Sequence, residues 1–423
     1  MLPLFHNMFN EFELKPKQLL LKIGDFLKTD IRYIMKQGSW LAGGEIINNI
    51  LSVGLIVAFA NLISPSNYGI YKYILSIYAI FALSGLSGSG PAITKSVAEG
   101  NEGIYSPALK LQRKWALIGS LGTLVTALYY LSHGNKILGY SFIVATIVLP
   151  FFESQNTYQH ILSGKKRFDL QIKYYSGTRI VSTVSIILAL FLTQNVIIIV
   201  AAYFIPYILA NFYFGYLALK QIKLNNNFDS SIISYMKHLS LIGVFSATVN
   251  YLDSIIIFQL LGPVQLAIYT IALAPATRLQ SFFGIIPELS LPKYAEHPVD
   301  EIKKAIFPKI LKAIPICILI VISYILIVPL FFKLFLPQYP ESVRYAQLLA
   351  LPFIWYPFAL LARVLLVKAS IKQLYHYNIL ESVAQCIIMF LAIYFFGLPG
   401  AVIGIIATSI IGNIILYYYF HKL

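Results

Sequence analysis

Four polar side chains, Glu45, Asn48, Asn49 and Ser52, recur at i, i+3, i+4 and i+7 inside an otherwise apolar run of the chain. In a helix that spacing sets all four on one face. The segment near 138–162 repeats it with Glu153, Asn156, Thr157 and His160, and the segment near 374–396 with Asn378, Glu381, Ser382 and Gln385. Ser246, Asn250 and Asp253 follow at i, i+4 and i+7 in a further run, and the next run holds Thr277, Arg278 and Ser281. The chemistry such stripes suit is the holding of polar or charged cargo in apolar surroundings. An ionised side chain near a bilayer centre costs at least about 2.5–3.5 kcal/mol, so acids and bases there face a cavity or each other. Asp253 and Arg278 sit well away from the ends of their runs and are the leading candidates, as cavity groups or as an ion pair. Glu45, Glu381 and Arg179 lie within about two turns of a boundary, where snorkelling competes with a cargo contact. Arg363 is nearer still to Lys368, and His160, beside Lys165-Lys166-Arg167, reads as an interface histidine.

Catalytic patterns are missing. The sequence has no H-E-x-x-H, no Cys/His cluster and no nucleophile elbow, and Gln159 stands where a phosphate loop ending at Gly164-Lys165 would need its first glycine. Cys317 and Cys386 both lie in apolar runs, so neither a disulfide framework nor a metal site is expected. The outer connections are all short and leave no room for an external acidic site. Neither enzymatic activity nor a resident cofactor is expected.

The elements that must carry these residues follow from composition. With 58% hydrophobic and only 12% charged residues, the chain is far from the roughly 25% charge of a soluble domain. About 20 apolar residues cross a bilayer as a helix. Twelve such segments are present, near 38–62, 68–90, 112–132, 138–162, 174–193, 196–219, 238–261, 266–288, 308–332, 344–367, 374–396 and 399–420. The expected fold is an all-α integral membrane protein.

The net charge of +15 is distributed, not clustered, which argues against nucleic acid as a partner. Lys and Arg concentrate in alternate connections, whereas the others hold only Lys136, Lys333 and Arg344, with Lys72, Arg179, Arg278 and Arg363 inside spans. This positive-inside bias predicts cytoplasmic N- and C-termini in a multi-pass protein of the cell (inner) membrane. Residues 1–36 are basic and interrupted by charge, so a cleavable signal is not expected. Leu20, Ile23, Leu27, Ile31 and Ile34 predict a surface-lying amphipathic helix there.

Two junctions match at an offset of 198 residues: Pro65 with Pro263, Ile70 with Ile268, Tyr71 with Tyr269 and Lys95 with Lys293. Ala98-Glu99 matches Ala295-Glu296 after a one-residue gap. An even number of spans per copy makes the duplication parallel. The expected domains are therefore 1–36 (basic segment), 37–222 (N-lobe, spans 1–6), 223–237 (interlobe linker with Asn225-Asn226-Asn227) and 238–423 (C-lobe, spans 7–12), with a central cavity between the lobes. Breakers inside spans are frequent: Pro150, Pro206, Pro275, Pro315, Pro352, Pro357 and above all Ser84-Gly85-Leu86-Ser87-Gly88-Ser89-Gly90-Pro91, which predicts a weak cytoplasmic end of span 2.

Leu62-Ile63-Ser64-Pro65-Ser66-Asn67-Tyr68-Gly69-Ile70-Tyr71, Asp253 before Leu261-Gly262-Pro263 and Ile268-Tyr269, and Gly397-Leu398-Pro399-Gly400-Ala401-Val402-Ile403-Gly404 resemble the polysaccharide-biosynthesis flippases. These are the Wzx (O-antigen) type of the multidrug/oligosaccharidyl-lipid/polysaccharide (MOP) exporter superfamily. The resemblance implies two six-helix lobes around a cavity lined mainly by spans 1, 2, 7 and 8. It also implies an oligosaccharide on a polyprenyl diphosphate as cargo, moved from the cytoplasmic to the outer leaflet by alternating access. Membrane lipids, a polysaccharide polymerase and chain-length machinery are the implied partners. On that basis the chain is a membrane transporter in which Arg278, helped by Lys72 or Arg363, meets phosphate, Asn48, Asn49 and Asn250 meet sugar hydroxyls, and Glu45, Asp253 or Glu153 binds the coupling ion, H+ or Na+. A cation-coupled drug antiporter of the same fold and a non-transporting anchor of a glycan-assembly complex are the competing readings.

Overall fold

The computed structural model describes residues 31–423 apart from 153, 284–286, 288–293, 295 and 296. Glu153 and most of the basic N-terminal segment, with its expected amphipathic helix, lie outside the described residues. All regular elements among the described residues are helical. Span 1 is α1 (Ile31–Leu62), and span 2 is broken into α2 (Pro65–Ala82) and α3 (Gly90–Ala98). Span 3 is α4 (Tyr105–Ser132), and span 4 is broken into α5 (Lys136–Phe152) and α6 (Thr157–Gly164). Spans 5 to 8 are α7 (Phe168–Leu192), α8 (Val196–Lys220), α9 (Ser231–Leu261) and α10 (Pro263–Phe283). Span 9 is α11 (Val299–Phe335), and span 10 comprises α12 (Ser342–Leu349), a 3-10 stretch (Leu351–Phe358) and α13 (Ala359–Lys368). The last element, α14, runs over Ile371–His421.

Among the described residues, nine helices are long and apolar enough to cross a membrane, ten if the bent pair of span 2 is one crossing. The shortfall from twelve has two causes. α10, with 21 residues, is long enough but carries Gln265, Thr277, Arg278 and Gln280 and is less apolar than the rest. α14 has 51 residues, about 75 Å if straight, against about 30 Å of hydrocarbon. It folds back at Gly397, whose φ of 61° and ψ of −139° are not helical. A Cβ on Gly400 would lie 1.9 Å from the Ala392 oxygen, one on Gly404 2.7 Å from Met389 Sδ, and one on Gly412 3.0 Å from Glu381 Oε1. Partners that converge in this order belong to an antiparallel hairpin, so the two arms are spans 11 and 12.

The connections fall on two faces. Asn61 Nδ2 donates to Phe335 O at 2.8 Å, Gln194 Nε2 to Leu62 O at 2.6 Å, and Gln259 Nε2 to the Tyr130 hydroxyl at 3.0 Å, which gathers the ends of spans 1, 3, 5, 7 and 9 on one face. We call this the junction face. The opposite, basic face gathers the 99–104 turn, Lys165, residues 221–230 and the C-terminus through bonds such as Lys165 Nζ to Lys223 O (2.9 Å) and Lys303 Nζ to His421 O (3.2 Å).

The lobes share apolar packing at the junction face. One core runs without interruption from Phe59, Tyr71 and Phe204 to Ile257, Leu266, Tyr269 and Phe332. Gly69 of α2 lies against Pro263 at the start of α10, the two duplicated junctions meeting each other. Local chemistry shapes both. Pro65 opens α2 behind the Ser64 N-cap, whose Oγ accepts from Asn67 N at 3.3 Å, and Gly262 ends α9 at a φ of 89° that L side chains avoid. Towards the basic face the core divides. Tyr294, Ile306 and Phe420 form one cluster and Tyr158, Leu162 and Tyr174 another, while Ile232 and Met236 at the start of α9 pack with Ala92, Ile93 and Val97 of α3.

The break in span 2 falls where the Gly/Ser run predicts it. Two 3-10 turns, Leu83–Gly85 and Ser87–Ser89, flank Leu86 in the left-handed region (φ 59°), and the pieces meet at 54°. Span 4 breaks at the same level, around the Ser154–Asn156 turn. Gln112 of α4 stitches the two, donating to Ser89 Oγ at 2.7 Å and accepting from Thr157 Oγ1 at 2.6 Å.

Candidate functional site

Two cavities of similar size and opposite character adjoin span 8. The first, of about 510 Å³, follows span 2 from Lys72 to Ser87 and is closed by Phe152, Tyr203, Asn250 and Asp253, with Thr270 and Leu273 from α10. The second, of about 540 Å³, lies between α1, α10 and α11 and is apolar except for Arg278, Ser323 and Tyr324. It opens sideways, because its walls include Leu319 and Ile327, 65% and 63% exposed on the face of α11 that meets lipid. Leu273 borders the first cavity and Ala274 the second, so α10 is the partition between them.

The structure brings together part of the predicted set. Lys72, Asn250 and Asp253 share the polar cavity, and Arg278 stands in the apolar groove. Glu45, Asn48, Asn49 and Arg363 line neither of these two cavities. Asp253 and Arg278 form no ion pair with each other, since α10 separates their cavities. Instead Asp253 Oδ2 accepts from the Tyr269 hydroxyl at 2.5 Å and Oδ1 from the Ser254 amide at 2.6 Å. These two donors hold the carboxylate in place while it faces the cavity. Tyr269 belongs to the repeated junction, and its counterpart Tyr71 is used differently: it stacks on Phe59 at 4.6 Å and meets Tyr203 edge-on at 6.3 Å.

The cations of the spans form one electrostatic neighbourhood. Lys72 interacts with Arg278, and Arg278 in turn with Arg179 and Glu45. Lys72 Nζ stands 5.6 Å above the Tyr68 ring, an added stabilisation of the ammonium. Arg179 is the contributor that sequence reasoning set aside as a boundary residue. Its position follows from the contact of Gly44 with Ile172, which fixes the register of α1 against the parallel α7. That register sets Asn48 level with Ser176, one turn before Arg179. Asn48 Oδ1, Ser176 Oγ and Arg179 Nε are all buried without a hydrogen-bond partner among the described residues. Glu45 is exposed, as are Ile46 and Ile50. The signal for this seam was in the sequence as Arg179 at i+3 from Ser176, but only the register of α1 on α7 assigns it a partner.

The arrangement can hold an amphiphile. Lys72 and Asn250 on one side of α10 suit an anionic, hydroxyl-rich head, and the groove on the other side, with Arg278, suits an apolar chain. Among the described residues no cluster of His, Cys, Asp and Glu suits a metal ion.

Comparisons with known proteins agree with this architecture. An inward-facing multidrug-resistance transporter of the MATE family, in the MOP superfamily, is similar over 89% of this chain and 93% of its own, at 14% identity and a TM-score of 0.65. The lipid II flippase MurJ in an inward closed conformation is similar over 89% and 86%, at 13% identity and a TM-score of 0.60. A MOP-superfamily transporter from Pyrococcus furiosus is similar over 92% and 94%, at 14% identity and a TM-score of 0.54. These likenesses carry the fold. No curated protein matches in sequence. Residues 34–292, which include the polar stripes of spans 1, 7 and 8 and the Gly/Ser break of span 2, match the family described as polysaccharide biosynthesis protein. The chain is therefore a multi-pass membrane protein with the MOP transporter fold, and it belongs to the polysaccharide biosynthesis protein family.

Proposed function

We propose that the protein is a flippase for an oligosaccharide carried on a polyprenyl diphosphate, moving it from the basic-face leaflet to the junction-face leaflet. The observation that carries this reading is Arg278, a cation standing in an apolar, laterally open groove beside the polar cavity of Lys72, Asn250 and Asp253. A diphosphate with many hydroxyls cannot enter hydrocarbon unassisted, since each unsatisfied polar group costs several kcal/mol. Arg278, Lys72 and Arg179 would neutralise the diphosphate, Asn250 would meet sugar hydroxyls, and the prenyl chain would lie between α1 and α11. Asp253, tied to Tyr269, is the proposed coupling-ion site. The positive bias of the basic face supports placing that face in the cytoplasm of a cell membrane.

A drug antiporter of the same fold is the second reading, favoured by the Tyr78, Phe152, Tyr203 and Tyr251 rings on the polar cavity. Proteoliposomes loaded with a fluorescent prenyl-diphosphate glycan distinguish the two. The flippase reading expects translocation by the wild type and a loss of at least about tenfold in Arg278→Ala, equivalent to about 1.4 kcal/mol. Equal rates in wild type and variant would remove the phosphate role. Absent translocation together with efflux of cationic drugs would favour the antiporter, and neither activity would favour the anchor.

A further inference from the structure

Arg113 belongs to neither cavity. It lies about two turns into span 3 on the outer wall of the N-lobe, where its guanidinium is 5.5 Å from the Phe151 ring centroid and 5.9 Å from that of Phe212. Both rings are exposed, at 39% and 45%, on a wall that in the membrane meets lipid chains. The adjacent Phe152 turns the other way and lines the polar cavity, so span 4 separates Arg113 from the cargo path.

Among the described residues one guanidinium nitrogen is engaged: Nε donates to Ser154 Oγ at 3.3 Å. None of the ion pairs among the described residues involves Arg113. Ser154 lies in the broken stretch of span 4, and its hydroxyl in turn donates to Pro150 O at 2.8 Å. The fork of terminal amino groups is thus presented to the lipid side, braced by two rings and a hydroxyl, about two turns in from the basic face. Lys110 and Lys114 flank it on α4 and are exposed. A cation held at that depth needs a counter-charge, and the planar arginine fork matches phosphate oxygens two at a time.

We propose that Arg113, with Phe151, Phe212 and Ser154, forms a site for the phosphate headgroup of an anionic phospholipid in the basic-face leaflet. The rings carry the first part of the acyl chains while Lys110 and Lys114 contribute at the water edge. Basic pockets between membrane helices on the positively charged side are places where anionic headgroups bind. The site stands apart from the proposed cargo route, so its test does not depend on that function.

The test is native mass spectrometry of the full-length protein in detergent with phosphatidylglycerol, phosphatidylcholine or inorganic phosphate as probe. Wild type is expected to retain phosphatidylglycerol over phosphatidylcholine by about fivefold or more, about 1 kcal/mol. R113Q is expected to lose that preference to within about twofold, while K333Q at the opposite face keeps it. F212L, which preserves apolar bulk and removes one ring, is expected to fall between, and keeps the proposal testable where R113Q folds poorly. Undiminished preference in folded R113Q, or in F212L where R113Q does not fold, would overturn the assignment. Displacement of the lipid by inorganic phosphate alone would reassign the site to a free anion and equally overturn it.

Discussion

Gly69 lies on the backbone of Pro263: a Cβ added at Gly69 would stand 1.8 Å from the Pro263 carbonyl oxygen and 2.5 Å from its carbon. The two copies of one junction are thereby pressed together where the lobes close at the junction face. Backbone offers no side-chain end that could yield, so Gly69→Ala must part the lobes there. The expected cost is about 1–3 kcal/mol of overpacking. Cysteines at 61 and 338, where Gln338 Nε2 now donates to Asn61 O at 3.4 Å, should crosslink in an otherwise cysteine-free protein and do so less with Gly69→Ala. Undiminished crosslinking would mean that this contact does not hold the face shut.

The duplicated tyrosines have diverged in use. Tyr269 donates to Asp253, whereas Tyr71 is packed among Phe59, Tyr68 and Tyr203. Tyr269→Phe should therefore cost about 1.5–3 kcal/mol, the range for a hydrogen bond to a charged group, and Tyr71→Phe distinctly less. Thermal unfolding of the two variants in one detergent checks the difference, and equal losses would contradict it.

Much of this was legible in the sequence, and the limits have physical reasons. The Pro65 and Pro263 junctions, the Gly/Ser break and the turn at Gly397 are written in local backbone chemistry, so their types and places could be read directly. The break in span 4 could not. Pro150 lies inside α5, and the helix gives way only beyond Phe152, where Gln112 and Arg113 of the neighbouring span bind Thr157 and Ser154. Helical spacing likewise identifies a face but not what it meets. It grouped Glu45 with Asn48, although the packing of α1 on α7 buries part of Asn48 and leaves Glu45 exposed. Distance from the span ends singles out Asp253 and Arg278, as cavity groups or as an ion pair, but does not show that α10 stands between their cavities.

The residues after span 6 are strapped to the N-lobe. Asn225 N donates to Glu102 Oε2 at 2.8 Å, Asn225 Nδ2 to Gly100 O at 2.9 Å, and Gly103 N to Asn227 O at 2.9 Å, while Lys165 Nζ pairs with Glu102 Oε1 at 2.7 Å. Glu102→Gln should accelerate amide exchange at Asn225 by about tenfold, the equivalent of 1.4 kcal/mol. Because Glu102 and Lys165 share one network, the double variant with Lys165→Gln should add little to either single change. Additive effects would show that the strap is held elsewhere.

Gln112 is the buried link between the two broken spans. Gln112→Leu removes the amide that donates to Ser89 Oγ, whereas the Thr157 hydroxyl can still donate to Ser154 O at 2.7 Å. A loss of about 1–3 kcal/mol is expected for the buried Ser89 hydroxyl left unsatisfied. Proteolysis should sharpen at residues 83–89 and 153–157 together, and cleavage at one site alone would argue against a shared hinge.

The central claim is that cargo straddles α10, with its charged head beside Lys72 and Asp253 and its apolar chain in the groove of Arg278. The most direct measurement is the translocation rate of two probes with the same diphosphate glycan, one on a long and one on a short prenyl chain, by wild type and Ser323→Trp. Ser323 lines only the groove of these two cavities. The account predicts that filling it slows the long-chain probe by about tenfold or more and leaves the short-chain probe within about twofold. Equal slowing of both, or of neither, would contradict it.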